Sequence, residues 1–249
     1  MALYESDTQI AASSVKTRAK PSDGGWRLSG TKLFVTDAQV ADYIITPALT
    51  DEGVSLFLVE AKSSGVDYTP LRTLAGDKQY EVNLKDVVVP PQNRLGEAGR
   101  GWDYIQRVLP KATIVKCAEM VGMAQQVLEM SVSYAKERKQ FGHPIGSFQA
   151  IQHYCAGMAT DVDSSKYITY QAASLLSEGL ACSREVSIAK AWVGPACHRV
   201  SMLGAEVQGS IGLSMDHDFP LYYRRIKAAE LLFGDAEFHK EMVAQEAGL

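Results

Sequence analysis

The sequence lacks the features that would direct a protein to or through a membrane. No apolar stretch among its 249 residues approaches the length of a membrane-spanning helix. The opening residues, MALYESDTQ, contain neither the basic nor the apolar region of a signal peptide. Internal repeats and low-complexity segments are also missing. We therefore expect a soluble globular protein that is located in the cytoplasm.

Metal-binding motifs are missing as well. The five histidines have no HExxH or similar spacing. The four cysteines lie far apart inside helical patterns and form no CxxC pair. They are Cys117, Cys155, Cys182 and Cys197. Such spacing favours buried free thiols over disulfides or zinc ligands, and the sequence predicts no metal site.

An excess of positive charge is the third missing feature. The formal net charge is -4 at pH 7, whereas a nucleic acid or an anionic membrane as main partner would require a basic surface. The chain is instead 46% hydrophobic and 22% charged, a composition that supports a substantial core. A chain of this length folds as one large domain or two modest ones.

The first part of the chain has the pattern of β-strands. Between residues 26 and 90 the apolar residues occur in short bursts, separated by turn sequences such as DGG at 23–25. The bursts cover residues 26–28, 33–35, 43–45, 54–59 and 80–89. Tyr80, Val82 and Leu84 alternate with polar residues, as in a half-buried strand. This pattern predicts a small antiparallel sheet or barrel.

After residue 101 the apolar pattern becomes helical and stays so to the end. The glycine-rich segment 95–101, LGEAGRG, marks the change and predicts a β domain at 1–97 and a helical domain at 98–249. The predicted helices span about 111–138, 147–178, 184–207 and 220–244. Four long helices joined by short loops predict an up-down four-helix bundle, and hence an α+β protein.

The strongest functional signal lies at 134–152, YAKERKQFGHPIGSFQAIQ, which is typical of a helix end, a tight polar turn and a new helix. Gly142 and Pro144 stop the first helix, and Ser147 is predicted to cap the second. Arg138 beside the uncompensated N-terminus of a helix suits a phosphate or pyrophosphate. On spacing alone, a solvated loop without function is the simpler interpretation.

The amino-acid sequence of this segment nevertheless resembles the signature of a known family. RKQFG at 138–142, PI at 144–145 and FQAIQ at 148–152 resemble the flavin-binding signature of the acyl-CoA dehydrogenase family. The order of a strand domain before a helical bundle is similar to the middle and C-terminal domains of that family, over essentially the whole chain. The resemblance implies that the family's N-terminal helical domain is missing here, as in a fragment or a truncated homologue.

In the bundle, the resemblance implies an FAD site shared between subunits. Arg138 and Phe141 would meet the diphosphate and adenosine side of a neighbouring subunit's flavin, with Phe148 and Gln149 beside them. The segment 206–212, EVQGSIG, matches a glycine turn that lets backbone approach the cofactor. The contact residues implied there are Glu206, Gln208, Gly209 and Ser210. The family usually has glutamine in place of this glutamate and glycine in place of this serine, so a carboxylate and a hydroxyl face an anionic ligand.

A second flavin contact is implied in the strand domain. The segment 32–37, KLFVTD, resembles one in which an aromatic ring packs on the isoalloxazine and a threonine hydrogen-bonds to it. The resemblance assigns these roles to Phe34 and Thr36. Without it, an edge strand with an ordinary buried phenylalanine is the expected structure.

The usual catalytic carboxylate of the family is missing. Removal of a proton α to a thioester, while a flavin accepts hydride from the β carbon, requires such a base. Its two usual positions hold Phe233 and Ala112. Glu119 lies on nearly the same helix face as Ala112, and Glu230 lies one turn before Phe233, so both are candidate substitutes. The alternative is that Glu119 pairs with Lys116 and that Glu230 pairs with nearby arginines.

The N-terminal binding loop also departs from the family pattern. The family has threonine, glutamate and then Gly-Ser-Asp contacting flavin and coenzyme A, whereas this chain has Tyr4, Glu5 and QIA at 9–11. Such losses resemble the non-catalytic partner in heterotetrameric members that act on bulky acyl-CoA thioesters such as steroid side chains.

These departures leave two main hypotheses. The first is a subunit of an FAD-dependent acyl-CoA dehydrogenase, in a homo- or hetero-oligomer, with an acyl-CoA substrate and electron-transfer flavoprotein or a similar acceptor. The second is a structural partner that binds no flavin productively and stabilises a catalytic paralogue. An acyl carrier or an unrelated bundle would require the flavin signature to be a coincidence.

Overall fold

The computed structural model of the protein describes residues 1–7, 9–214 and 216–248. The chain divides into two compact units, Met1–Val108 and Leu109–Leu249. Strands make up most of the first unit, and helices make up most of the second. The predicted α+β class is confirmed.

Seven strands form the sheet of the first unit. They are β1 (Arg18–Ser22), β2 (Gly25–Thr36), β3 (Tyr43–Thr50), β4 (Gly53–Glu60), β5 (Val66–Leu71), β6 (Gln79–Val89) and β7 (Arg94–Leu95). Their spatial order is β5-β6-β2-β1-β3-β4-β7. Neighbours pair antiparallel except β1 and β3, which pair in parallel. The predicted antiparallel arrangement thus holds for every neighbouring pair except β1 with β3.

Burial explains which strands the sequence predicts. Tyr80, Val82 and Leu84 of β6 are buried, as their alternation predicts. Leu28 and Phe57 anchor the core of the sheet with no exposed surface. Strands β1 and β5 consist mostly of exposed or half-buried residues and contain no run of apolar residues, so the sequence does not predict them. The bursts at 26–28 and 33–35 belong to one strand, because the residues between them pair with β6.

In the described part of the chain five α-helices follow, together with a short hairpin between the first two. The helices are α1 (Gly101–Glu137), α2 (Gln149–Ser177), α3 (Ser183–Gln208), α4 (Phe219–Leu231) and α5 (Ala236–Glu246). The hairpin strands are β8 (Lys139–Gln140) and β9 (His143–Pro144). Within the described ranges, no helix is both long and apolar enough to cross a membrane. α1 begins ten residues before the predicted 111, and Pro110 lies inside it.

Apolar residues at helical spacing build the core of the second unit. The residues without exposed surface include Cys117, Met120, Ala124, Val127, Met158, Val193, Cys197, Val200, Phe219 and Ile226. Gly204 of α3 lets α4 come close, because a Cβ there would lie 2.6 Å from Val127 and 2.9 Å from Phe219. One large cluster therefore joins α1, α2, α3 and α4.

Two of the predicted helix features are wrong. The predicted helix at 220–244 is two helices, because Phe233 and Gly234 have φ angles of 59° and 93° and cannot continue a right-handed helix. Asp235 then caps α5 by accepting a hydrogen bond from the N–H of Phe238. Ser147 does not cap α2, since its hydroxyl donates to the carbonyl of Pro144 and the capping position is Phe148.

Candidate functional site

The segment that joins α1 to α2 is a short hairpin with a fixed backbone. The N–H of Arg138 donates to the carbonyl of Tyr134 at 2.8 Å, which continues the hydrogen bonding of α1. The carbonyl of Arg138 accepts from the N–H of Ile145 at 2.8 Å. Both backbone groups of Arg138 are thus engaged, and its side chain projects into solvent.

The hairpin presents a free cation and an exposed ring. The guanidinium of Arg138 has no hydrogen bond or ion pair with any described residue. Phe141 at the tip is 88% exposed and left-handed, with a φ of 53°. Its ring meets that of Phe148 edge to face, with centroids 6.2 Å apart. A cation and an aromatic surface of this kind suit an anionic ligand that also carries a planar ring.

The N-terminus of α2 adjoins this hairpin. Phe148 occupies the capping position and offers no side-chain acceptor. Gln149, the first residue of the helix, is exposed. The first N–H groups of a helix have no partner within the helix, and an anion or water satisfies them. The hairpin and the first residue of α2 thus carry Arg138, Phe141, Phe148 and Gln149, and the rings of Phe141 and Phe148 are in contact.

The glycine turn after α3 has open space beside it. Gly209 has a φ of 60°, and a Cβ placed on it would meet no atom within 4 Å. Glu206 and Ser210 are exposed. Gln208 is 3% exposed, and its Oε1 atom has no hydrogen-bond partner among the described residues. A buried acceptor without a partner is costly, so this turn is not optimised for stability alone.

Phe34 and Thr36 lie in the first unit and are exposed. Phe34 is 41% exposed with a φ of 55°, at an irregularity in the pairing of β2 with β6. Asp37 is left-handed too, with a φ of 53°. The ordinary buried phenylalanine in an edge strand is therefore not what the structure has, since β2 lies between β6 and β1. Exposed strained residues of this kind are common where a protein contacts a ligand.

A buried ion pair anchors the strand that carries Phe34. Lys32 has no exposed surface, and its Nζ lies 2.6 Å from Oε1 of Glu5. The same carboxylate accepts hydrogen bonds from the N–H groups of Lys16 and Thr17. Burial raises the pKa of Glu5, but the bond to Lys32 and the two N–H groups outweigh burial and hold it below the usual value. Glu5 therefore ties the N-terminal segment to β2.

Neither candidate base is a free carboxylate. Glu119 pairs with Lys116 on α1, and its side chain is 46% exposed. Oε2 of Glu230 lies 2.9 Å from Nζ of Lys227 and 3.6 Å from Nδ1 of His198. The partners of Glu230 are thus a lysine and a histidine, and not the arginines that the sequence suggests.

Two buried side chains that the sequence analysis does not single out hold the turn at 232–235. Nζ of Lys190 donates to the carbonyls of Glu230 and Gly234, at 2.7 and 2.6 Å. Nε2 of His239 donates to the carbonyl of Phe233 at 2.9 Å. Burial lowers the pKa of Lys190 to about 8 and that of His239 to about 4.

The sequence does contain a signal that Lys190 is buried. Lys190 shares a helical face with Val186, Val193 and Cys197, all buried on α3. A lysine on an apolar face indicates a buried charge with specific partners. The partners themselves are about 40 and 44 residues away in the chain and cannot be read from the spacing.

Metal ligands are not clustered in the described parts of either unit. Within the described ranges, no three residues among histidine, cysteine, aspartate and glutamate are placed to hold a metal ion. The four cysteines are free thiols. Burial raises the pKa of Cys117 and Cys197 to about 12, so these two thiols stay protonated at neutral pH.

Comparison with sequence families covers nearly the whole chain. Residues 1–87 match the family model described as "Acyl-CoA dehydrogenase, middle domain". Residues 99–248 match the one described as "Acyl-CoA dehydrogenase, C-terminal domain". A similar curated protein is the caffeyl-CoA reductase-Etf complex subunit CarC of Acetobacterium woodii, with 30% identity over 251 residues. The match covers 98% of this chain and 66% of that relative, so the chain spans about two thirds of its length.

Solved structures have the same fold. The crystal structure of an acyl-CoA dehydrogenase from Geobacillus kaustophilus matches with a TM-score of 0.96 and 25% identity, over 100% of this chain and 68% of that one. The crystal structure of the ChsE4-ChsE5 complex from Mycobacterium tuberculosis matches with a TM-score of 0.87 and 31% identity. That match covers 93% of this chain and 62% of the other.

Proposed function

Because the chain belongs to the acyl-CoA dehydrogenase family, as its flavin-binding signature predicts, we propose that it is a flavoprotein subunit that takes part in acyl-CoA dehydrogenation. The reaction would remove the α and β hydrogens of an acyl-CoA thioester. The hairpin between α1 and α2 carries this proposal, since it holds out an unpaired Arg138 and an exposed Phe141 for a ligand that the chain itself does not supply.

The residues of the second unit fit FAD. Arg138 offers a bidentate donor for the diphosphate, and the uncapped N-terminus of α2 adds N–H groups. Phe141 and Phe148 offer ring surface for the adenine. Gly209 leaves room for close approach by the cofactor. Bound FAD supplies the hydride acceptor, and these side chains bind and orient it.

Phe34 and Thr36 would make the flavin-side contacts. The exposed ring of Phe34 suits stacking on an isoalloxazine, and the exposed hydroxyl of Thr36 suits a hydrogen bond to it. Glu5 and Lys32 support this role, because their buried ion pair fixes β2 just before Phe34. The pair would keep the ring in one place without touching the flavin.

The missing base indicates that a second subunit contributes to the reaction. Phe233 and Ala112 cannot accept a proton, Glu119 is paired with Lys116, and Glu230 is paired with Lys227. We therefore infer that a paralogous subunit supplies the general base and that this chain completes the cofactor site. The names of two relatives support an assembly of this kind, since one is a subunit of a reductase-Etf complex and another is half of a two-protein complex.

The remaining parts of the proposal concern substrate, acceptor and location. A bulky acyl group such as a steroid side chain is proposed from the pattern of losses at the base and the N-terminal loop. Electron-transfer flavoprotein is proposed as the acceptor, supported by the Etf complex to which the CarC relative belongs. A cytoplasmic location is proposed, supported by four free thiols in the described chain.

Flavin stoichiometry tests the proposal. The protein is purified alone and together with a co-expressed full-length paralogue, and the visible flavin absorbance per subunit is recorded for each. We expect bound FAD in the assembly, and less of it when Arg138→Ala replaces the wild-type chain. Lys136→Ala, at another exposed cation in the last turn of α1, is the matched control and should leave the flavin content unchanged. Equal flavin content in the wild-type and Arg138→Ala assemblies would favour the structural-partner hypothesis.

A further inference from the structure

The exposed side of α2 carries very little charge. Between residues 149 and 171, a stretch that the structure describes throughout, the exposed residues include one carboxylate, that of Asp163, and no lysine or arginine. The exposed residues of α5, by contrast, include Glu237, Lys240 and Glu241. The side of a helix that faces water normally carries charges, as α5 does. Depletion of lysine, aspartate and glutamate is typical of the core of a protein–protein interface.

Large apolar and aromatic side chains are exposed on the same side of α2 and on α3. Tyr167 of α2 is 68% exposed, and Trp192 of α3 is 43% exposed. Tyr170 and Met202 are exposed as well. Tyrosine, tryptophan and methionine are enriched at interfaces relative to the rest of a protein surface. This part of the molecule therefore has the composition of a surface that another protein covers.

Trp192 is held in one orientation. Its Nε1 donates to Oγ of Ser164 at 3.1 Å, and the guanidinium of Arg199 lies 5.6 Å from the centre of its ring. Arg199 in turn donates two hydrogen bonds, of 2.8 and 3.1 Å, to Asp161. These contacts join the outer sides of α2 and α3 into one surface. The α2–α3 face is this surface, made of Asp161, Ser164, Tyr167, Trp192, Arg199 and Met202. An exposed tryptophan that is already fixed loses little freedom on binding, and it suits a binding hot spot.

An open cavity lies at one end of this face. It measures about 350 Å³ and lies between α2, α3 and α5. Its lining is almost entirely apolar and consists of Ile168, Ile188, Ala191, Trp192, Val243 and the side chain of Lys240. Hot-spot side chains of one protein fill pockets of this kind in another. The cavity has room for a large apolar side chain of a partner.

The other end of the face adjoins the proposed cofactor contacts. Gln149 and Tyr167 are about five helical turns apart on α2, so they point to the same side, and Ile188 and Glu206 are equally far apart on α3. The cross-helix contacts show that α2 and α3 run antiparallel. Gln149 and Glu206 therefore lie at the same end, about 27 Å from the cavity. An interface of standard size, about 800 Å² per partner, spans such a distance.

We propose that the α2–α3 face is the docking surface for the paralogous subunit that shares the flavin site, and that the cavity receives a large apolar side chain of that subunit. This rests on the proposed function, in which Gln149 and Glu206 contact a shared flavin. A subunit whose cofactor reaches both residues lies against the surface next to them. The low charge of α2 and the fixed Trp192 are what such a contact requires.

Charge favours a different protein over a second copy of this chain. Asp163 has no ion pair within the described chain, and Arg199, the cation of the face, is already bound to Asp161. Two copies would bring two Asp163 carboxylates together without a free cation for either. A partner with a lysine or arginine opposite Asp163 is complementary to this face.

The test uses the full chain and a full-length paralogue from the same organism that has glutamate at the position of Phe233. Sedimentation velocity on mixtures measures the affinity between the subunits, and visible absorbance measures the FAD in the saturated complex. Tyr167→Glu adds a second carboxylate at a highly exposed position, and Ala191→Phe fills the cavity. Val88→Glu, at an exposed apolar residue of β6, is the matched control. Light scattering and thermal unfolding of each chain alone report self-association and folding.

We expect Tyr167→Glu and Ala191→Phe to weaken the affinity for the paralogue about tenfold or more. The melting temperature of the isolated chain and the FAD content of the saturated complex should stay the same, because neither residue contacts the cofactor. Val88→Glu should change none of these values. Wild-type affinity in both variants overturns the inference, as does an effect on self-association of this chain alone. A wild-type complex that forms but contains no FAD would overturn the proposed function instead.

Discussion

Phe141 and Phe148 meet edge to face at 6.2 Å, although Phe141 is left-handed and 88% exposed. A left-handed backbone costs a phenylalanine about 1–2 kcal/mol, and an exposed ring recovers little of this by burial. An edge-to-face ring pair contributes about 0.5–1.5 kcal/mol, which is comparable to this cost, so the ring adds little net stability to the hairpin. Its exposed surface is free for the ligand contact proposed above.

The first prediction concerns Phe141. Phe141→Gly should leave the stability of the chain unchanged or raise it by about 0.5–1 kcal/mol, because glycine accepts the left-handed backbone. The FAD affinity of the assembly should nevertheless fall, by about tenfold, because the ring surface is lost. Denaturant unfolding and flavin titration measure the two effects. A loss of stability with unchanged flavin affinity would assign Phe141 to the fold.

The second prediction concerns Arg138. Arg138→Ala should remove a charge-assisted contact of about 1.5–3 kcal/mol and weaken FAD binding by roughly one to two orders of magnitude. Arg138→Lys should recover only part, since a point charge cannot reproduce a bidentate contact. The melting temperature of the flavin-free chain should hardly change, because the side chain is exposed and unpaired. Equal flavin occupancy of wild type and Arg138→Ala in the assembly would contradict the cofactor role.

The third prediction is low activity of the isolated chain. The family resemblance assigns both usual positions of the base to Phe233 and Ala112, and loss of a general base lowers a rate by about 10² to 10⁴-fold. Steady-state assays with several acyl-CoA thioesters and an artificial electron acceptor measure this. Robust turnover that Glu119→Gln abolishes would show instead that Glu119 leaves Lys116 and acts as the base.

The sequence predicts those helices and strands whose apolar residues recur at a regular spacing. The helix predicted at 184–207 is found at Ser183–Gln208, because its buried face recurs every three or four residues. The break at 232–235 is not predicted, because Phe233 reads as one more apolar residue of a continuing helix. Lys190, which binds the carbonyls of Glu230 and Gly234 on either side of Phe233, lies about 40 residues earlier in the chain, and periodicity carries no information about such a contact.

The same distinction holds for the candidate site. Arg138, Phe141, Phe148 and Gln149 neighbour one another in sequence, so the sequence alone suffices to group them. The exposure and strain of Phe34 depend on how β2 pairs with β6, which the sequence does not specify. Only the three-dimensional structure shows that Lys32, two residues before Phe34, is buried against Glu5.

The fourth prediction concerns this buried ion pair. Glu5→Gln leaves the ammonium group of Lys32 buried without its counter-charge, which typically costs about 3–5 kcal/mol. The free energy of unfolding should therefore fall markedly, as measured by denaturant titration. Glu60→Gln, at an exposed glutamate in β4, is the control and should change it by less than about 0.5 kcal/mol. Similar losses for both variants would show that the pair does not anchor β2.

The last prediction is a pH dependence that His239 imposes on stability. The pKa of His239 is about 4 in the folded protein, lowered by burial from 6.5, while Lys190 lowers it further and Asp235 and the Phe233 carbonyl raise it. Between these two values the unfolded chain binds a proton that the folded chain does not. The free energy of unfolding should therefore fall as the pH is lowered from about 6.5 to 4, by up to about 3 kcal/mol from this group.

His239→Gln isolates this contribution, because glutamine keeps a donor for the Phe233 carbonyl and does not titrate. Other groups that titrate in the same range, mainly carboxylates, contribute equally to wild type and variant. The difference between the two unfolding free energies should thus change between pH 6.5 and 4 and level off above about 7. Urea unfolding at half-unit pH intervals measures this difference. A difference that stays constant over the whole range would mean that His239 is protonated as readily in the folded protein as in the unfolded chain, and that burial does not hold it in its neutral form.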